Sequence, residues 1–169
     1  MLIDFLDEEA TNVGDCKEIL AIPSIKLWIK WGSKFEDKLP LVKARYDFGT
    51  EINPEELVKL LTDERSSWDD TLMELTEIES VTPEVSIIHY VVKPPIFLMA
   101  PKDFAEKKIR LEKNGVYYGY HGAIPEAAFP CIKKYQRCET IYSGNILRKE
   151  DDSYVYYTFS QMNLNVSVY

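Results

Sequence analysis

Histidine, cysteine and glycine are all scarce in this chain, and each scarcity removes a class of function. Only two histidines occur, His89 and His121, in different apolar stretches and with no nucleophile pattern beside either. A hydrolytic relay needs its base oriented against a nucleophile, so neither histidine signals one. His89, between Ile88 and Tyr90, reads as a satisfied sheet residue. Three cysteines, Cys16, Cys131 and Cys138, cannot all pair within one chain. That count suits the cytoplasm or another reducing intracellular compartment better than secretion. Cys131 and Cys138 lie too far apart for the tight pairs that hold zinc, and neither metal nor cofactor is expected. The 7 glycines are scattered through turns, which leaves no glycine-rich phosphate loop.

Positive charge and long apolar runs are also short. Twenty-eight acidic against 20 basic residues give a net charge of -8, which argues against nucleic acid as a partner. The same sign repels an anionic membrane surface, so membrane contact is expected to be brief or local. No apolar run approaches the roughly 20 residues of a membrane span. The acidic start, Met1 to Ala10, has neither the basic flank of a signal peptide nor the arginines of a transit peptide. What remains is an ordinary globular composition, 46% hydrophobic over 169 residues, most simply one domain.

Period-two alternation dominates what is there. Ile25, Leu27 and Ile29 alternate with Lys26, Trp28 and Lys30. Val42, Ala44, Tyr46 and Phe48 alternate with Lys43, Arg45 and Asp47. Both are signatures of half-buried strands. Residues 1–20 are acidic with sparse apolar positions, and form either a leading helix or a docked arm. Asn53-Pro54-Glu55-Glu56 starts a helix: Asn53 can cap, Pro54 suits the first helical position, and Leu57, Leu60 and Leu61 make a stripe. Beyond Trp68 the spacing is that of hairpins: 71–81 with 85–93, 103–113 with 116–123 about Asn114-Gly115, and 136–149 with 154–162. The fold class expected is α+β, an antiparallel sheet of about seven to nine strands with an inserted helix; a sheet that long curls around something.

Four short motifs then fall in order. Arg65-Ser66-Ser67-Trp68-Asp69 is similar to an Arg-x-x-Trp-Asp motif, and Val91-Val92-Lys93-Pro94-Pro95 resembles the segment closing the next strand. Pro101-Lys102-Asp103-Phe104 resembles Pro-Arg-Asp-Phe. Ser143-Gly144 and Ser160-Gln161-Met162-Asn163 sit where two last strands are expected. Together, over roughly residues 20–165, these resemble the START (StAR-related lipid-transfer) family, whose helix-grip fold holds one lipid in a closed pocket. The resemblance divides the chain into an N-terminal arm or helix, 1–20, and a START-like domain, 21–169. It departs from the family in two ways. Lys102 stands for the usual arginine, without its planar fork. The sequence also stops at Tyr169, before the C-terminal helix that serves the family as lid.

The resemblance implies non-catalytic binding or transfer of a lipid or sterol, with Trp68, Tyr90, Phe104, Lys108 and Tyr156 as ligand-binding residues. Lys108 shares a strand face with Phe104, Glu106 and Arg110, and is expected to meet a head group opposite Tyr90; a solvated edge is the other reading. Trp68 reads equally as a core or rim aromatic. Ile96, Phe97, Leu98 and Met99, between prolines, form a gate, a docking loop or a packed loop. Asp69 and Asp70 diverge on an extended chain and make no acid-base pair, so no catalytic residue is expected. The alternative is a START-like fold used for protein interaction, or as a structural subunit whose open concave face a protein partner covers.

Overall fold

The computed structural model describes residues 1–94 and 99–165, so Ile96, Phe97 and Leu98 of the apolar loop lie outside the described residues. Helix α1 spans Leu2–Thr11, followed by strands β1 Lys17–Ile22, β2 Ile25–Trp31 and β3 Pro40–Asp47. Helix α2, Pro54–Thr62, and a 3-10 turn at Arg65–Ser67 precede β4 Leu72–Thr82, β5 Val85–Val92, β6 Lys102–Lys113 and β7 Val116–Ala123. The chain continues through β8 Gln136–Arg137, β9 Glu139–Glu150 and β10 Ser153–Asn163. No helix among the described residues is long and apolar enough to cross a membrane.

The strands form one sheet in the order β1-β2-β3-β10-β9-β7-β6-β5-β4, antiparallel throughout, with β8 pairing in parallel beside the start of β6. The α+β class and curled antiparallel sheet are as expected, with ten strands among the described residues in place of seven to nine. β1 escaped notice because all six of its residues are exposed and carry no alternation. The stretch expected as one strand from Gln136 is divided: Gln136 and Arg137 turn aside to pair with Lys102 and Asp103, and the β9–β10 ladder begins at Glu139.

Local chemistry explains the elements. Asn53 accepts hydrogen bonds from the amides of Glu55 (3.0 Å) and Glu56 (3.2 Å), capping α2. Asn114 and Gly115 both take positive φ, 55° and 74°, so the two-residue turn matches the strand twist of the β6–β7 hairpin. The acidic residues Glu74, Glu77 and Glu79 along edge strand β4 discourage edge-to-edge pairing.

Side chains alternate between the faces, and each face carries its own core. On the outer face α1 packs Leu6 and Ala10 against Tyr118, Tyr142, Ile146, Val155, Tyr157 and Phe159. Burying a side chain the size of Leu6 contributes about 2 kcal/mol. Residues 1–20 therefore hold a docked helix. Its approach needs Gly144, where a Cβ would lie 2.7 Å from Leu6 Cδ2 and closer still to the Phe159 ring. Buried Lys43 closes the helix's far end, donating from Nζ to the carbonyls of Glu9 and Asn12, the latter at 2.9 Å. A cation placed there also meets the negative end of the helix dipole. On the inner, concave face a second cluster gathers Ile88, Tyr90, Phe104 and Cys138.

Candidate functional site

Strand register assembles the concave face. Phe104, Glu106, Lys108 and Arg110 of β6 point the same way, flanked by Ser86, Ile88 and Tyr90 of β5 and by Gly119 and His121 of β7. Farther across lie Ser143, Asn145 and Leu147 of β9, Tyr156, Thr158 and Ser160 of β10, and Val42, Ala44 and Tyr46 of β3. Helix α2 stands over the middle of this surface. Val58 and Leu61 share with Lys108, His121, Leu147 and Tyr156 a cavity of about 50 Å³. α2 has no fully buried residue of its own. It is held at one end by the ion pair of Asp63 with Arg110, and by the Trp68 indole N–H, which donates to Leu60 O at 2.8 Å.

The buried charged groups on this face are paired among the described residues, with one exception. Buried Glu106 accepts hydrogen bonds from Tyr90 Oη (2.8 Å) and Thr140 Oγ1, and contacts His121 Nδ1 at 3.0 Å. Burial alone would raise its pKa, but these partners outweigh burial and leave it below the ordinary glutamate value. Burial, with Glu106 adding to it, pushes the Tyr90 hydroxyl well up, so it stays a neutral donor. Tyr90 stacks on Phe104 with ring centroids 4.8 Å apart, and the Arg65 guanidinium lies over the Tyr90 ring, 5.2 Å from its centroid. Arg65 in turn grips Asp69 at 2.7 Å, and Asp69 accepts from the Thr71 amide. Lys108 is the exception. It is only 7% exposed and has no hydrogen bond or ion pair among the described residues. Burial, then the neighbouring Arg110, bring its pKa down from 10.5 to about 8.

The match to a sequence family decides what this architecture is. The START domain sequence model covers residues 41–164, most of the chain. The chain belongs to the START domain family. No curated protein matches the sequence. Solved structures agree on the fold. Human STARD10 superposes with a TM-score of 0.85 at 17% identity, over 98% of this chain and 67% of that one. Human StAR-related lipid transfer protein 5 gives 0.84 at 14% identity, over 99% and 81%. The human StarD13 (DLC2) lipid transfer and protein localization domain gives 0.76 at 16%, over 99% and 84%.

In this START domain the expected site residues separate. Tyr90 and Phe104 meet as a buried stack, while Lys108 and Tyr156 line the cavity together. Burial raises the Tyr156 hydroxyl, with Tyr46 adding to it. Trp68, just past the 3-10 turn, is 48% exposed and is not among the residues lining the cavity. Met99 is partly buried. One expected pairing fails: Tyr90 lies opposite Phe104, and Lys108 faces Ser86 on one side and His121 on the other. The two-residue turn at Asn114-Gly115 implied the Lys108–His121 register, because counting back from Lys113 and Val116 sets those residues opposite. Counting also set Glu106 on this face, but nothing in the sequence signalled Thr140 as its partner. Thr140 reaches the inner face through the irregularity at Gln161/Met162 in the β9–β10 register.

The Lys102-Asp103 pair divides between faces. Lys102 bonds to Gln136 Oε1. Asp103, fully buried on the outer side, accepts from Arg137 Nε (3.1 Å) and Nη2 (2.9 Å) and lies 3.3 Å from His89 Nε2. That cluster anchors β8 against β6 and His89 within the sheet, a structural task.

Proposed function

We propose that this START domain binds a hydrophobic ligand, a lipid or sterol, and does no chemistry on it. The cavity beneath α2 carries the reading: its walls are apolar at Val58, Leu61 and Leu147, while Lys108, Arg110 and His121 supply a polar end. At about 50 Å³ it is the size for a ligand's polar terminus. The ligand's body lies along the rest of the concave face, over Ile29, Val42, Ala44 and Tyr46. Tyr90, Phe104, Lys108 and Tyr156 are the proposed contacts. Trp68 acts at the rim by fixing the end of α2, whose lack of buried residues lets it yield as ligand enters. The apolar segment through Ile96, Phe97, Leu98 and Met99 is the proposed gate or docking loop. The Glu106 network is saturated by its partners, so it holds the pocket floor rigid and has no unshared group to act as a base. Native mass spectrometry of the purified protein tests the reading: a co-purified or exchangeable lipid is expected, and its absence defeats it.

A second reading has its own observation. Trp31, Ile19 and Val42 are 75%, 53% and 40% exposed, an apolar surface of the kind protein partners cover. On this reading the START fold serves as an interaction module or assembly subunit. A protein that stays monomeric and unaggregated in sedimentation experiments counts against it.

A further inference from the structure

We propose that the cavity beneath α2 takes a carboxylate, so that the ligand is a single-chain, fatty-acid-type anion held by the Lys108 ammonium. This rests on the ligand-binding reading above and narrows it to one chemical class.

The neighbouring charged groups already have partners. Asp63 is matched to Arg110, Asp69 to Arg65, Asp103 to Arg137, and Glu106 to Tyr90, Thr140 and His121. Even the buried Lys43 and Lys102 have oxygens to bond. Lys108 alone is buried, aimed into a cavity and without such a partner among the described residues. A buried cation left like this is unfavourable unless something answers it. The groups that face it do not. Asp63 comes from α2 but is engaged by Arg110. Glu77 comes from β4 and is exposed. Glu106, two residues along its own strand, is saturated. Arg110 repels it, and His121 across the β7 ladder is turned to Glu106.

Size and surroundings select the anion. A cavity of about 50 Å³ has space for about three or four waters. A carboxylate fits such a space as it stands, while a phosphocholine would have to displace α2 to enter. Val58, Leu61, Leu147 and Tyr156 around it suit the first methylenes of an acyl chain. A carboxylate against Lys108 would be desolvated and charge-assisted, the condition in which such a contact is strong. The lysine's pKa near 8 keeps it largely charged at neutral pH, yet within reach of titration.

The test compares oleate with methyl oleate and oleyl alcohol by displacement of a fluorescent fatty acid from the purified protein. Oleate is expected to bind about tenfold or more tighter than either neutral analogue. That preference should fade as pH rises above about 8, an arm that uses the unaltered protein and needs no variant. Lys108→Met should bring oleate down to the level of methyl oleate, and Lys108→Arg should keep the preference, with circular dichroism confirming that both are folded. Equal binding of oleate and methyl oleate by the unaltered protein overturns the proposal while leaving lipid binding standing. So does a preference that survives in Lys108→Met. If no amphiphile binds and no lipid co-purifies, the ligand-binding reading falls and takes the proposal with it.

Discussion

Replacing Lys108 with methionine should make this protein more stable, the reverse of what most buried substitutions do. Methionine matches the length of the lysine stem and fills the same space beneath α2 without a charge. The penalty it removes follows from proton affinity. Lys108 falls from 10.5 to about 8 on folding, chiefly through burial and then Arg110. At ~1.4 kcal/mol per tenfold, that is about 3 kcal/mol against the charged form. The sign follows directly: the unfolded chain holds this proton more tightly than the folded one, so stability rises with pH between the two values. The full penalty applies below about 8 and is relieved as pH climbs toward 10.5. Lys108→Met should therefore gain about 2–3 kcal/mol at neutral pH, a rise of several degrees in Tm at about 2–4 °C per kcal/mol. The gain should shrink steadily above pH 8. Urea denaturation of both proteins across that range measures it. A variant less stable than the parent, or a gain that does not change with pH, refutes the account of Lys108 as a buried, unanswered cation.

Three further outcomes follow from particular contacts. Arg137→Ala strips the buried Asp103 of two guanidinium hydrogen bonds, both made to Oδ2, and should cost about 3–5 kcal/mol in chemical denaturation; a loss under about 1 kcal/mol would mean that Asp103 is solvated. Gly144→Ala drives a methyl group into Leu6 and Phe159; it should cost about 1–3 kcal/mol, and hydrogen exchange should quicken in α1 before the sheet. Lys43→Met leaves the carbonyls at the end of α1 unanswered. A loss of about 1–3 kcal/mol is expected, with exchange faster at the C-terminal turn of α1 than at its start.

Much of the fold was legible because strands facing solvent on one side write their faces into the sequence with period two. β2 and β3 were readable in this way, the later strands by their hairpin spacing, and Asn53-Pro54 and Asn114-Gly115 marked a helix start and a hairpin by their own backbone chemistry. β1 was illegible because an edge strand exposed on both sides has no reason to alternate. α1 was half legible: its stripe is short, and the residues that receive it, Tyr142, Ile146 and Phe159, lie far along the chain.

The candidate site divides the same way. Lys108, Phe104, Glu106 and Arg110 could be set on one face by counting, since the pleat carries that information within a single strand. Whether Lys108 was solvated or buried could not be counted, because burial depends on α2 being laid across four strands. Nor could its want of a partner: that follows from Asp63 turning to Arg110 and Glu106 turning to Tyr90, Thr140 and His121. The sequence alone determined the family and the faces, as local periodicity and short motifs are properties of neighbouring residues. Only the tertiary structure decided which charges are answered, because pairing depends on distances between elements that no segment contains.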